Sequence, residues 1–331
     1  MKMPEQINIV DALSQNDFIA FVGTGVEKPA GVSGWNELLI KLLKEMPSNK
    51  SKKDEELKDD IDKSKPWDKA QEVFNELKEN GQEQKYYDII SEGIKPKESD
   101  WTQHQLDIAD VTRWIITTNY GSSLEHSIKR LIELTNSRNI YDEDILPKFR
   151  LSLPKDKYLA VYLHGKTIER CIIFNKDEYE SYYPNEDNSN QYAENIKDYL
   201  KHIYTNNIIV FIGFSFEDEY FLRLLKIINN AIIKDDLINS RRKEGYEQIL
   251  PNIKHYAYIT EIKKDDIEGD EKYKEQKYKH HLNIIAELKS LNIEVILLQK
   301  DEHIKWTADF KNIRLSRREL SNFRNIEDIF K

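Results

Sequence analysis

The sequence is short of cysteine, of long apolar runs and of positive charge, and each shortage narrows the reading. One cysteine, Cys171, among 331 residues excludes an intrachain disulfide framework and any four-cysteine zinc site. No stretch approaches the roughly 18 consecutive apolar residues of a membrane span, so no membrane association is expected. The start, MKMPEQINIVDALSQND, lacks an apolar stretch between a basic beginning and a small-residue cleavage site, so no secretory signal is read and a cytoplasmic address is expected. A formal net charge of −9 argues against indiscriminate nucleic-acid binding through phosphate neutralisation. The lysine-rich NKSKKDEELKDDIDKSK carries nearly as many acids as bases and reads as a solvated face. There is no G-x-x-x-x-G-K-[ST], which disfavours a P-loop nucleotide hydrolase.

What is present suits a globular α/β chain. The composition is 39% hydrophobic and 33% charged, and the length allows one large domain with insertions or two modest ones. Short apolar runs rich in branched and aromatic residues read as strands buried on both faces: 17–23 (DFIAFVG), 112–118 (TRWIITT), 158–163 (YLAVYL), 208–213 (IIVFIG), 254–260 (KHYAYIT) and 293–298 (IEVILL). Segments with helical spacing separate them, so a Rossmann-like, doubly wound, mainly parallel sheet of six strands is expected. The long interval after the first run contains WNELLIKLLKEM, DKAQEVFNELKENG and EQKYYDIISEG, a helical insertion over about 36–110 expected to sit above the first strand's end. Residues 1–299 are read as the domain and 300–331 as a charged tail.

Polar and glycine residues gather where these strands end, the edge at which open parallel sheets bind ligands. After the first strand, Gly23-Thr24-Gly25 reads either as a phosphate cradle at a helix start or as a tight strand-to-helix turn. After the second come Thr117, Thr118, Asn119, Tyr120 and Gly121; Asn119 can position a sugar hydroxyl or a water, or cap the following helix. After the third, His164 beside Gly165 is placed for general-base work. After the fourth, Gly213-Phe214-Ser215-Phe216-Glu217-Asp218 offers a glycine and a hydroxyl to a nucleoside, with Asp218 open to a capping role.

In order, these blocks resemble the sirtuin superfamily, particularly its bacterial branch found in antiphage defence, whose members hydrolyse NAD rather than deacylate proteins. The similarity covers residues 18 to about 220. It implies a sirtuin-like NAD-binding catalytic domain, with Asn119 and His164 in catalysis, Gly23, Thr24 and Gly25 at the cofactor phosphates, Gly213 and Ser215 at the adenine ribose, and Thr118 also in cofactor binding. Trp35 resembles an aromatic that closes over the cofactor, a reading that stays open beside a helix-anchoring one. The segment IIFNKDEYESYY resembles the branch's strand and tyrosine-bearing helix and is expected to be structural. The family commonly has alanine and serine where this chain has Thr24 and Glu27, and aspartate where it has Gly121. A glutamate beside a phosphate site would repel unless Glu27 turns outward.

The implied activity is NAD cleavage to nicotinamide and ADP-ribose, linear or cyclic, with NAD as substrate and no metal, depleting NAD in abortive infection. A second defence protein, nucleotide-processing, ATPase or Argonaute-like, or a homo-oligomer, would supply the trigger. Zinc-dependent deacylation is not expected with one cysteine. A non-catalytic NAD- or ADP-ribose-sensing subunit, and an ADP-ribosyl transferase, are the competing readings.

Overall fold

A computed structural model describes residues 9–62, 64–97, 99–135, 140–145, 157–167, 171–184, 191–242, 253–299 and 306–317. Helix α1 (Ile9–Gln15) leads into β1 (Phe18–Val22). The inserted helices follow: α2 (Trp35–Leu43), α3 (Asp54–Asp62), α4 (Pro66–Glu79), α5 (Glu83–Gly93) and α6 (Gln103–Val111). Next come β2 (Trp114–Thr117), α7 (Ser123–Thr135), β3 (Ile140–Ile145), β4 (Lys157–Tyr162) and the short pair β5 (Gly165–Lys166) and β6 (Cys171–Ile172). The remainder is α8 (Lys176–Tyr182), α9 (Gln191–Asn206), β7 (Ile208–Ile212), α10 (Glu219–Arg242), β8 (His255–Thr260), α11 (Glu271–Ser290), β9 (Ile293–Leu298) and a last helix, α12, over 306–317.

The main sheet runs β3-β4-β2-β1-β7-β8-β9, and every pairing in it is parallel. Chain order reverses direction across the sheet between β1 and β7, which creates a switch point whose crevice lies beyond the strands' carboxyl ends. All six expected strands are present. The expected count of six is corrected to seven by β3, an edge strand whose IYDEDI sequence is too acidic to read as a buried run. Its Asp142 holds Lys157 of β4 at 2.5 Å, the kind of charged pairing an edge tolerates.

The strands are apolar throughout because both faces are covered. Successive residues point to opposite faces, so Ile19 and Phe21 of β1 join one core with α9, α10 and α11, while Phe18, Ala20 and Val22 join another with α6, α7 and α12. Inserted helices α2 to α5 build a third core, around Leu39, Val73, Tyr86 and Ile90, and reach back to Tyr120, Ile172 and Phe174. They thus roof the carboxyl edge near β1 and β2. Among the described residues five inserted α-helices are found, two more than the quoted segments suggest: α3 lies in the charged stretch read as a solvated face, and its Leu57 and Ile61 are buried.

Within the segment read as a charged tail, α12 carries Trp306, Phe310 and Ile313 into the core, with Phe310 against Phe18 at 6.1 Å. Arg317 fastens it by donating to the carbonyls of Leu13, Asn16 and Val111. The rest of 300–331 lies outside the described residues. No helix among the described residues is long and apolar enough to cross a membrane.

His255 of β8 is buried and accepts the Ile209 N–H through Nδ1 at 3.2 Å. Burial lowers its pKa from 6.5 to about 3. The unfolded chain therefore binds the extra proton between these values, and this contribution is complete above about pH 6.5 and lost as pH falls toward 3, at about 1.4 kcal/mol per pH unit. Urea unfolding across that window should show stability falling with pH, and His255→Asn should reduce the slope by about one proton.

Candidate active site

Three glycines bring the two switch-point loops into backbone contact. The Gly23 N–H donates to the Ile212 carbonyl at 2.9 Å, and the Gly25 N–H to the Gly213 carbonyl at 3.0 Å. A Cβ on Gly23 would lie 2.3 Å from the Gly213 oxygen, and one on Gly25 2.8 Å from the Gly213 Cα. Gly213 has φ of +63°, which favours glycine independently of the contact. Both amides are spent on β7, so glycine is required here for close packing of the loops. Thr24, in the 3-10 turn Thr24–Val26, lines the crevice beside them.

The crevice has two adjoining lobes, of about 490 and 880 Å³. Thr24, Gly213 and Ser215 line both, together with the cationic side chains Lys28 and Lys277. Asn119, His164, Trp35 and Thr118 line the first lobe, whereas Gly25 lines the second. Of the residues that the resemblance implies in catalysis or cofactor binding, all but Gly23 therefore bound one continuous crevice. Ser215 is exposed there, and its hydroxyl accepts the Glu217 N–H at 3.4 Å.

His164 follows β4 and is 3% exposed. Its Nε2 lies 2.5 Å from the Tyr183 hydroxyl and 3.8 Å from Asp218 Oδ2. Tyr179 lies in α8 and Tyr183 caps its end; the helix start is fixed by a reciprocal cap, in which Asn175 accepts the Glu178 N–H at 3.1 Å, while Glu178 accepts the Asn175 N–H at 2.9 Å. One helical turn apart, Tyr179 and Tyr183 share a face and pack against His164 at 5.5 and 5.8 Å. The tyrosine-bearing helix expected to be structural thus supplies the imidazole's hydrogen-bond partner. The i, i+4 spacing of Tyr179 and Tyr183 was the available signal.

Asp218 takes the capping role left open for it and also faces His164, which the sequence did not suggest. Its Oδ1 accepts the Phe221 N–H at 3.0 Å at the start of α10, and its other oxygen approaches the imidazole. Burial raises its pKa to about 6, and burial lowers that of His164 to about 3. At neutral pH the pair is therefore a neutral imidazole beside a largely ionised carboxylate.

Asn119 is positioned through Thr117, which donates to the Val22 carbonyl at 2.9 Å and accepts the Asn119 N–H at 3.0 Å. Its side-chain Nδ2 and Oδ1 are both buried without a hydrogen-bond partner. Aromatic walls flank this group: Trp35 stacks on Phe174 at 4.6 Å, and Trp67 meets Tyr220 edge-on at 5.1 Å. Trp35 therefore both anchors the insertion and borders the first lobe. Trp67, Tyr179 and Asp218 also line that lobe; Trp67 sits in a helix far from the glycine motifs, and nothing local marked it.

Glu27 does not turn outward as a phosphate site was expected to require. It is 1% exposed and faces inward, accepting from Ser123 at 2.5 Å and Gln105 at 3.2 Å. Burial raises its pKa, against the lowering effect of Ser123, Asn119 and Gln105. Gly121 lies under the insertion: a Cβ there would be 3.3 Å from the Ile94 carbonyl oxygen, so a side chain would press on the roof.

Residues 113–296 match the family described as SIR2-like domain. They include Asn119, His164, Gly213, Ser215 and Asp218, but not the first glycine loop or the insertion. The chain is also 27% identical over 294 residues to the NAD(+) hydrolase ThsA of Acinetobacter baumannii (strain 532279), an alignment covering 88% of this chain and 52% of that protein. It spans about half the length of the curated relative it matches.

The glycine contacts make a sharp stability prediction. Gly23→Ala should lower stability by more than about 3 kcal/mol, because backbone must move to admit the methyl. Gly34→Ala, with nothing within 4 Å of the added atom, should change it by less than about 0.5 kcal/mol. Thermal unfolding of the two variants checks the contrast.

Proposed function

This chain belongs to the SIR2-like domain family, and from that premise we propose that it is an NAD hydrolase acting on the nicotinamide–ribose bond. The observation that carries the reading is the first lobe, where a buried, unpartnered Asn119 and a neutral His164 stand together at the switch-point crevice. The identity to a protein named NAD(+) hydrolase supports it.

In this proposal the dinucleotide lies across both lobes. Thr24, Gly25, Lys28 and Lys277 flank its pyrophosphate; Gly213 and Ser215 meet the adenine ribose; Thr118 and Trp35 border the nicotinamide ribose. Breaking the C–N bond returns its electron pair to the ring nitrogen, which discharges the pyridinium and leaves an oxocarbenium-like ribose. Carboxylates and aromatic faces favour that developing positive charge. Asn119 orients the ribose and the incoming water. Water adds to the anomeric carbon, and its proton passes to His164, whose imidazolium is stabilised by the Asp218 carboxylate as it forms. The products are nicotinamide and ADP-ribose.

With one cysteine, the reading excludes the four-cysteine zinc module of deacylating relatives. On the resemblance in sequence, we assign the activity to NAD depletion in antiphage defence, triggered by a second protein or by assembly. A non-catalytic NAD-sensing subunit is the second reading. The burial of both His164 and Asn119 beneath the inserted helices favours it when no trigger is present.

Purified protein, alone and with its genomic neighbour, should release nicotinamide from NAD. Both Asn119→Ala and His164→Ala should lower the rate at least about 100-fold. Binding of NAD by calorimetry with no release under any condition overturns the hydrolase reading in favour of the sensor. The rate should also depend on Asp218. Its pKa of about 6 predicts that kcat/KM falls below about pH 6, as the carboxylate that supports the imidazolium is protonated. Asp218→Asn should be slower at neutral pH and lack that limb.

A further inference from the structure

The corner between α3 and α4 borders the first lobe and makes contacts that the proposed chemistry does not use. Ile61, Asp62, Ser64, Pro66 and Trp67 all line that lobe. From this corner Asp62 reaches α11, 211 and 215 positions along the chain: the Tyr273 hydroxyl donates to its Oδ2 at 2.6 Å, and the Lys277 ammonium to its Oδ1 at 3.0 Å. Lys65 of the same corner lies 3.9 Å from Glu219 at the start of α10. The inserted roof is thus tied to both helices.

The receiving pair on α11 is prearranged. Tyr273 and Lys277 are one turn apart and share a face, with the ammonium 5.6 Å from the tyrosine ring centroid. Asp270 accepts the Tyr273 N–H at 2.8 Å, and a Cβ on Gly269 would lie 2.8 Å from the Tyr273 ring, so cap and loop hold that ring in place.

Lys277 lines both lobes and is one of the two lysines assigned above to the pyrophosphate. Its three donors can serve a carboxylate and a phosphate together, so hydrogen-bond number does not force a choice. Charge does: with Asp62 on the ammonium, a doubly charged pyrophosphate meets a cation already offset and a further negative charge one hydrogen bond behind it. The Asp62 and Lys277 side chains are 29% and 42% exposed, so water can take over the carboxylate when it leaves. A pair of this kind is weak enough for a substrate to displace and strong enough to shift affinity about fivefold.

We propose that Asp62 is an autoinhibitory latch: it competes with the pyrophosphate for Lys277, so that the roof held on α11 and an anion held at Lys277 exclude each other. The inference rests on the reading that the dinucleotide's pyrophosphate lies at Lys277. It gives the inserted helices a regulatory contact with the site, and anything that draws the α3–α4 corner away from α11 raises affinity for the dinucleotide.

ADP-ribose, which carries the pyrophosphate and lacks the scissile bond, is the probe. Titrated by calorimetry, Asp62→Asn should bind it about fivefold more tightly than the parent, and the gain should fall below about twofold in a Lys277→Met background. Where NAD is hydrolysed, KM should fall by the same factor with kcat within about twofold. In the parent, a zero-length carbodiimide should join Asp62 to Lys277, as mapped by mass spectrometry, and saturating ADP-ribose should lower the yield at least about threefold. Unchanged or weaker ADP-ribose binding by Asp62→Asn overturns the proposal. So does an equal gain in the Lys277→Met background, or a cross-link that saturating ADP-ribose leaves intact. ADP-ribose binding without nicotinamide release from NAD removes the hydrolase reading alone, and the latch is then decided by the calorimetry and the cross-link. A parent and variants that bind no ADP-ribose overturn both.

Discussion

The structure depends on how closely two backbone loops approach at the point where the sheet reverses its winding. Gly23 and Gly25 on one side and Gly213 on the other meet with no room for a Cβ, and their hydrogen bonds join the ends of β1 and β7. Parallel strands normally diverge into separate crossovers at this point, leaving a crevice whose width varies with the loops. Here the contact closes the floor and sets the spacing of everything above it. Thr24 and Ser215 are held at the rim shared by the two lobes, and Glu27 begins its inward course immediately after the contact. The glycines matter first as a packing device, and the ligand-binding surface is built on the geometry that they impose.

A second consequence is burial. The inserted helices and α8 cover the carboxyl edge with aromatic side chains, so His164, Asp218 and Glu27 exchange water for rings and amides. Desolvation moves the histidine down and both acids up, which produces a neutral base next to a carboxylate whose ionisation falls near physiological pH. Charge in such surroundings is expensive, and polar atoms without partners are costly as well. In the first lobe both amide atoms of Asn119 are buried without a hydrogen-bond partner, beside a desolvated histidine and two desolvated acids. Burial also explains why the insertion belongs to the site: Trp35 and Trp67 border the lobe as part of the roof's own packing.

The legible parts of the chain are those in which local pattern and tertiary role coincide. Strands buried on both faces must be apolar throughout, so the runs at 17–23 and 208–213 could be read directly, and the polar residues that follow them necessarily fall at one edge of the sheet. Strand β3 was hidden because an edge strand is stabilised by its neighbour's hydrogen bonds and by pairs such as Asp142–Lys157, not by its own apolarity. Helix α12 was hidden differently. Trp306, Phe310 and Ile313 have helical spacing, but the charged residues between them mask it until Phe18 is seen to receive Phe310. Tyr179 and Tyr183 were visible as a pair, yet nothing in α8 says that a histidine nineteen positions before Tyr183 will meet its hydroxyl.

Sequence alone determined the α/β class, the winding of the sheet, the edge at which the candidate site lies and the order of its motifs, because periodicity and strand-end chemistry are local properties. Tertiary structure alone decided the direction of Glu27, the joining of Asp218 and Tyr183 to His164, and the place of Trp67 in the cavity wall. Each of these depends on which surfaces lose their water when the insertion, α8 and α10 close over the sheet. Desolvation is a property of the assembled fold, so no window of sequence contains it.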